Sequence, residues 1–434
     1  MTSRRFTGWK SWLGAAAAVL LLSGAPATQA QDDKTITIGI VTFLSGGAAG
    51  PFGVPARNAA ELVVEAINSG NVPAPYDTAG IAGAKIRTVI IDEAGGTTAQ
   101  VAELRNLVER EGVDLVIGYI SSGDCLAVAP VAEELQRLTV MFDCGTPRIF
   151  EEAEYRYVFR TGPTATMDNV ALARYLLDRD PDISTIAGIN QNYAWGQDSW
   201  LDFKEAMIAL KPDITVTTEQ FPQIYAGQYG GEISALLVNP PDVVHSSFWG
   251  ADLEGFILQG VARGLFDDSL VALSAGEPAM FRLAKQIPDG TVIGARGPHG
   301  VLAPDNELNA WFRPAYMDRF ATPPIYSSYK MAMALLGVKA AYEKAAAGGN
   351  GLPDQEAVID AFEHLEFETP SGLVRMALGN GHQAIMNAPI GAFSMEGGEP
   401  ALVDVVDYPA ECVNPPEGVK SLDWIRSGFE GAEC

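Results

Sequence analysis

Strand-like and helix-like runs alternate along this chain, and that alternation leaves few folds open to it. Residues 35–43 read TITIGIVTF, β-branched and nearly continuous in apolar side chains, as a strand covered on both faces of a sheet must be. A Gly-rich turn follows at 45–53. Ala59, Leu62, Val63, Ala66 and Ile67 then recur at helical spacing over 54–68, and 84–92 (AKIRTVIID) reads as the next strand. The unit repeats with a helix at 97–110, a strand at 113–119, a helix at 126–137 and a short strand at 139–142. Strands joined through helices lie parallel, so a doubly wound sheet flanked by helices is expected.

A second series starts after a strand at 157–160, where Gly162-Pro163 breaks the chain before a helix from about Thr164. Strands are expected at 183–189, 214–218, 243–247 and 270–273, with helices at 195–210, 231–238 and 253–264 between them. A further strand at 291–295 leads to helices at 307–320 and 327–347. Runs at 373–377, 382–385 and 390–393 then read as antiparallel strands, and the Gly- and Pro-rich end reads as irregular. A chain of 434 residues exceeds one compact core. Two α/β lobes are therefore expected, joined by several short crossings.

Arg4, Arg5 and Lys10 precede an apolar run from Trp12 to Leu22, and small residues lead to Thr28-Gln29-Ala30. This is the pattern of a secretory signal cleaved after about Ala30, and the run is too short to span a bilayer. Export to an oxidising compartment fits the four cysteines. Three pairings are open to them, and their positions suggest Cys125 with Cys144 and Cys412 with Cys434; buried thiols at Cys125 and Cys144 fit an exported chain less well. No Cys-x-x-Cys pair or neighbouring histidine points to a metal. The net charge of -25 would repel nucleic acid and anionic lipid.

Signatures of catalysis are missing. The chain has no Gly-x-Ser-x-Gly elbow, no His-Glu-x-x-His and no Walker loop, and its four histidines are scattered. The turn Ser45-Gly46-Gly47-Ala48-Ala49-Gly50-Pro51 lacks Gly-x-Gly-x-x-Gly and has Pro51 where a phosphate-facing helix should begin, which argues against a dinucleotide. No enzyme activity, cofactor or metal is expected.

In open parallel sheets ligands bind beyond the carboxyl ends of the strands at the switch point. Ser122 follows the strand 113–119 and Thr146 follows 139–142, and two hydroxyls beside free main-chain N–H groups could grip a carboxylate. Capping by Ser122 or Asp124 and a turn at Thr146-Pro147 would explain the same residues. A Cys125–Cys144 bridge would tie the two segments together. In the second lobe Tyr193, Trp249 and Glu277 stand at corresponding strand ends, two aromatic walls and one carboxylate that would suit an ammonium. Taken singly, the aromatics also fit packing at the sheet edge and Glu277 a solvated surface.

The ordered series Ile36-Thr37-Ile38-Gly39-Ile40, Leu44-Ser45-Gly46-Gly47, Phe52-Gly53, Glu65-Ala66-Ile67-Asn68, Val116-Ile117-Gly118-Tyr119-Ile120-Ser121-Ser122, Phe159-Arg160-Thr161, Tyr193-Ala194-Trp195-Gly196-Gln197 and Gly276-Glu277 resembles the leucine/isoleucine/valine-binding family of periplasmic solute-binding proteins, over about residues 35–395. The resemblance implies a two-lobed Venus-flytrap with three interlobe crossings that delivers a solute to an ABC importer. It implies that Ser122 and Thr146 hold a ligand carboxylate, and that the Cys144 carbonyl, Thr146 and Glu277 receive an α-ammonium. Phe52, Tyr193 and Trp249 would line the cleft. Asp143-Cys144-Gly145 departs from the small Pro/Ala residues common in that family, and Ser121 stands where some members have a bridged Cys.

The expected organisation is a signal at 1–30, lobe one at 34–160 and 290–368, lobe two at 161–289 and 369–408, and an extension at 409–434. The expected function is capture of a branched-chain-type amino acid in the periplasm by a monomer that meets the permease subunits of an ABC transporter. An aromatic acid or short amide as the solute, and a sensing module for a membrane receptor, are the alternatives.

Overall fold

The computed structural model describes residues 34–347, 349, 351–395 and 397–434, and the expected export signal lies outside the described residues. The first run comprises β1 (Thr35–Thr42), α1 (Val54–Ser69), β2 (Lys85–Asp92), α2 (Thr97–Glu109), β3 (Leu115–Gly118), α3 (Ser122–Glu134), β4 (Thr139–Met141), α4 (Arg148–Glu151) and β5 (Val158–Arg160). The second comprises α5 (Ala165–Arg179), β6 (Thr185–Ile189), α6 (Ala194–Leu210), β7 (Thr215–Gln220), α7 (Gly230–Val238), β8 (Val243–Ser246), α8 (Gly250–Ala262), α9 (Leu265–Asp268), β9 (Leu270–Leu273), α10 (Glu277–Arg282) and β10 (Val292–Gly294). The chain then forms α11 (Glu307–Phe320), α12 (Tyr326–Ala346), α13 (Gln355–Phe362), β11 (Glu366–Thr369), β12 (Gly372–Leu378), β13 (Gln383–Ile385), β14 (Ala388–Ser394), β15 (Ala401–Tyr408), α14 (Ala410–Val413) and α15 (Ser421–Arg426).

These strands build two sheets, in the orders β11-β12-β13-β5-β4-β3-β1-β2 and β15-β14-β10-β9-β8-β6-β7. The β2-β1-β3-β4-β5 and β7-β6-β8-β9-β10 stretches are parallel, and each ends in antiparallel strands. β1 is buried beyond Thr35 because helices cover both faces of its sheet, which is why its sequence shows no polar alternation. The chain passes between the sheets three times, after β5, after β10 and between β13 and β14.

Two of the expected lobe limits move. β10, expected in lobe one, extends the second sheet beside β9, with Val292 opposite Ala272. The β12–β13 hairpin was placed in lobe two, but it joins the first sheet, where β13 pairs with β5 through Gln383 and Arg160. The crossings therefore lie near 161–164, 295–306 and 386–387. The expected irregular end also holds structure: β15 pairs antiparallel with β14. Beyond it, the Cys412–Cys434 disulfide closes an extension whose Arg426 meets Glu205 on α6, at 2.9 Å, while the Ser421 main-chain N–H reaches Glu151 on α4, also at 2.9 Å. The extension thus touches both lobes. Among the described residues no helix is long and apolar enough to cross a membrane.

Candidate functional site

The carboxyl ends of β3 and β4 meet at the switch point of the first sheet. Tyr119 leaves β3 with φ at 86°, a conformation costly for a tyrosine, and the loop is fixed by the wholly buried Glu93, whose carboxylate accepts from the N–H groups of Ile120 (2.8 and 3.0 Å) and Ser121 (2.8 Å). Burial pushes Glu93 well above the usual carboxylate range, and Asp124 adds to the shift. Helix α3 begins at Ser122, four residues earlier than expected, and its cap is Ser121, whose hydroxyl accepts from the Asp124 N–H at 3.4 Å. Neither Ser122 nor Asp124 does that work.

The Ser122 hydroxyl instead accepts from the main-chain N–H groups of Gly145 (3.1 Å) and Thr146 (3.2 Å), and the Cys125–Cys144 disulfide joins the same two segments. Thr146 donates its hydroxyl to Asp198 of α6 at 2.5 Å, a contact between the lobes. Burial raises Asp198 to about 6, with the Thr146 hydrogen bond acting against it. The Cys144 carbonyl accepts from Arg160 Nη1 at 3.1 Å.

Across the cleft, the Trp249 indole N–H donates to the Tyr193 hydroxyl at 2.7 Å. The Trp249 ring packs edge-on against Phe52 at 5.5 Å and near Phe43 at 5.8 Å, both from lobe one. Phe52 lies in the turn 49–53 and also meets Tyr326 at 5.2 Å. Glu277 opens α10 and is wholly buried. Its Oε2 accepts from the main-chain N–H of Tyr326, first residue of α12, at 3.0 Å, while Oε1 has no hydrogen-bond partner among the described residues. Burial pushes its carboxyl up to about 8, against the Tyr326 hydrogen bond and the charge of Arg313. Oε1 abuts Gly300, where a Cβ would stand only 1.9 Å away. Phe52, Thr146, Trp249 and Glu277 thus meet the opposite lobe, while Ser122 and Cys144 are engaged with groups of lobe one and Tyr193 with Trp249.

Sequence reasoning missed a second set. Arg296, in the crossing after β10, donates from Nη1 to the Asp143 carboxylate (2.7 Å) and carbonyl (2.7 Å) and from Nε to Asp168 at 3.0 Å. Lys330 of α12 reaches the same Asp143 oxygen at 2.9 Å, and the Arg296 guanidinium lies 4.2 Å from the Trp195 ring. All four charged groups are buried. Burial works against the Arg296 charge, but Asp168 and Asp143 outweigh it and hold its pKa above the ordinary value. Lys330 is drawn down to about 8 by burial and by the like charge of Arg296. Gly145 makes room for this network, since a Cβ there would fall 2.3 Å from the Trp195 ring and 2.5 Å from Arg296 Nη2. The signal in the sequence is the polar residue Asp143 at a strand end and Arg296 directly after the strand expected at 291–295, although the expected crossing lay before that strand.

A family model described as periplasmic binding protein matches residues 35–399. The chain belongs to that family. Among solved structures, this periplasmic binding protein is similar to an ABC-transporter solute binding protein from Rhodopseudomonas palustris BisB5 in complex with 3,4-dihydroxybenzoic acid, at TM-score 0.73 and 20% identity over 87% of this chain and 98% of that one. It is also similar to a leucine-, isoleucine-, valine-, threonine- and alanine-binding protein from Brucella ovis in its closed conformation (TM-score 0.74, 19% identity, 89% and 98% covered). A leucine binding protein from Thermotoga maritima superposes at TM-score 0.71 with 17% identity, over 86% and 98% of the two chains. No curated protein matches the sequence. At such identities the likeness establishes the two-lobed α/β fold alone. In that fold a solute held by both lobes favours the closed form, and only its differential affinity shifts the hinge.

Proposed function

We propose that this periplasmic binding protein captures a small solute bearing both an ammonium group and a carboxylate, an amino acid of the branched-chain class first, and delivers it to the permease of an ABC importer. Glu277 carries the reading. A carboxyl buried with one oxygen unpartnered is a costly arrangement, and an ammonium within reach would restore its charge and satisfy that oxygen. In this reading Ser122 and Thr146 hold the carboxylate, the Ser122 hydroxyl turning its proton to it while its oxygen accepts from the Gly145 and Thr146 N–H groups, Thr146 and the Cys144 carbonyl add contacts to the ammonium, and Phe52, Tyr193 and Trp249 form the wall. The amino acids named for the Brucella and Thermotoga proteins support it. In this reading the N-terminal signal pattern directs export to the periplasm, and the mature protein acts there as a monomer.

A second reading, an aromatic acid, is favoured by the stack of Phe52, Trp249 and Phe43 and by the dihydroxybenzoate named for the Rhodopseudomonas protein. A thermal-shift screen of refolded protein against amino acids, benzoates and short amides separates the two. An amino-acid response lost in Glu277→Gln supports the first reading; a response to benzoates that survives Glu277→Gln supports the second.

A further inference from the structure

A cavity of about 570 Å³ lies between the edge of lobe one, the first crossing and the C-terminal extension. None of the seven candidate cleft residues borders it, although Pro147, next to Thr146, does, so it is a separate space from the cleft. Phe150, Tyr155, Leu378 and Val419 give it apolar walls, and Arg160 forms part of another.

Arg160 is wholly buried and makes no ion pair among the described residues. Its Nε donates to Gln383, its Nη1 donates to the carbonyl oxygens of Cys144 (3.1 Å) and Thr146 (2.6 Å), and its Nη2 has no partner. With Nε and Nη1 spent on these acceptors, Nη2, itself covered, is the nitrogen of the guanidinium without an acceptor among the described residues, and the guanidinium lies 5.7 Å over the Phe150 ring, which also borders the cavity. Burial draws its pKa down to about 9, with the like charge of Arg296 adding, while Glu151, Asp198 and Asp168 act from a distance without a hydrogen bond to it. Of the five carboxylates around the cavity, Glu151 accepts from Ser421, Glu363 from Arg156 and His382, Glu417 from the Asn380 N–H and Glu133 from the Arg156 and Tyr157 N–H groups, while Glu154 is exposed at the rim. A buried cation held only by neutral acceptors gains much from an anion.

We infer that this cavity is a second small-molecule site, which takes a small organic carboxylate with its charge toward Arg160 and its apolar body against Phe150, Tyr155 and Val419. Since Nη1 of the same guanidinium holds the carbonyls of Cys144 and Thr146, an occupant would brace the loop that carries the candidate carboxylate donors of the cleft.

4-Bromobenzoate is the probe, because anomalous scattering from bromine shows where it sits. In soaked crystals the expected result is a bromine peak inside the cavity, with the carboxylate within hydrogen-bond distance of Arg160. Replacement of Arg160 endangers folding, so the control is Ala153→Trp, which fills the cavity from its half-buried rim and leaves Arg160 in place. That variant should lose the peak and at least tenfold of the affinity in solution. A bromine peak only beside Trp249, no peak at all, or solution binding unchanged in Ala153→Trp would each overturn the inference.

Discussion

The Glu277 carboxylate of lobe two accepts the main-chain N–H of Tyr326 at the start of α12 in lobe one, at 3.0 Å. The same carboxyl is wholly buried and titrates near 8. One residue thus joins the lobes, answers to pH and offers an unpartnered oxygen.

Folding stability should therefore depend on pH through Glu277. Between about pH 4.5 and 8 the folded chain holds a proton there that the unfolded chain has lost, so stability is fullest below that window and falls as pH rises through it. At 1.36 kcal/mol per unit the change is at most about 5 kcal/mol. Urea unfolding at pH 5 and pH 8 should show the fall in the wild type and a clearly smaller one in Glu277→Gln; equal slopes would contradict it.

Arg296→Met should cost about 3–5 kcal/mol, the usual penalty for leaving buried charges unpaired, since Asp143 and Asp168 would both lose their guanidinium partner. The Asp143 link to Lys330 remains, so the chain should still fold. Denaturant midpoints measure the loss, and a change under about 1 kcal/mol would show that the network is not held as described.

Gly145→Ala should lower solute affinity more than stability. The added methyl meets Trp195 and Arg296, both beyond lobe one, so it opposes closure before it disturbs the first sheet. Calorimetric titration beside thermal unfolding tests this; a large drop in melting temperature with unchanged affinity would contradict it.

The two disulfides should differ in kind. Each closes a loop of about 20 residues, worth about 3 kcal/mol by chain entropy. Cys412→Ser with Cys434→Ser should cost stability alone. Cys125→Ser with Cys144→Ser should also weaken solute binding, because that bridge ties α3 to the loop of Gly145 and Thr146.

Most of this fold is legible in hydrophobic period. β1, α1 and β9 fall within a residue of their expected limits, because an apolar strand buried on both faces and a regular helical stripe are local signals. What escapes is what depends on pairing. Nothing local in 372–385 says that this hairpin continues the first sheet, and β15 alternates too weakly to announce a partner. The start of α3 was set late because Ser122, Gly123 and Asp124 are poor helix formers, while the Ser121 cap and the Glu93 carboxylate hold that turn from outside. In the candidate cleft the strand-end rule locates Ser122, Thr146, Tyr193, Trp249 and Glu277 one by one. It does not reach Asp168, inside a helix, or Lys330, on a helix buried nearly all round; their partnership with Arg296 and Asp143 exists only in three dimensions.

Calorimetric titration of the refolded protein with L-leucine at pH 7, in two buffers of different ionisation enthalpy, tests the role of Glu277 most directly. A carboxyl that titrates near 8 is mostly protonated at that pH, so an arriving ammonium should release about one proton for each solute bound. In Glu277→Gln the release should vanish and the affinity fall at least tenfold. Tight binding with no proton released, or binding of 4-hydroxybenzoate alone that Glu277→Gln leaves unchanged, would contradict an ammonium at Glu277.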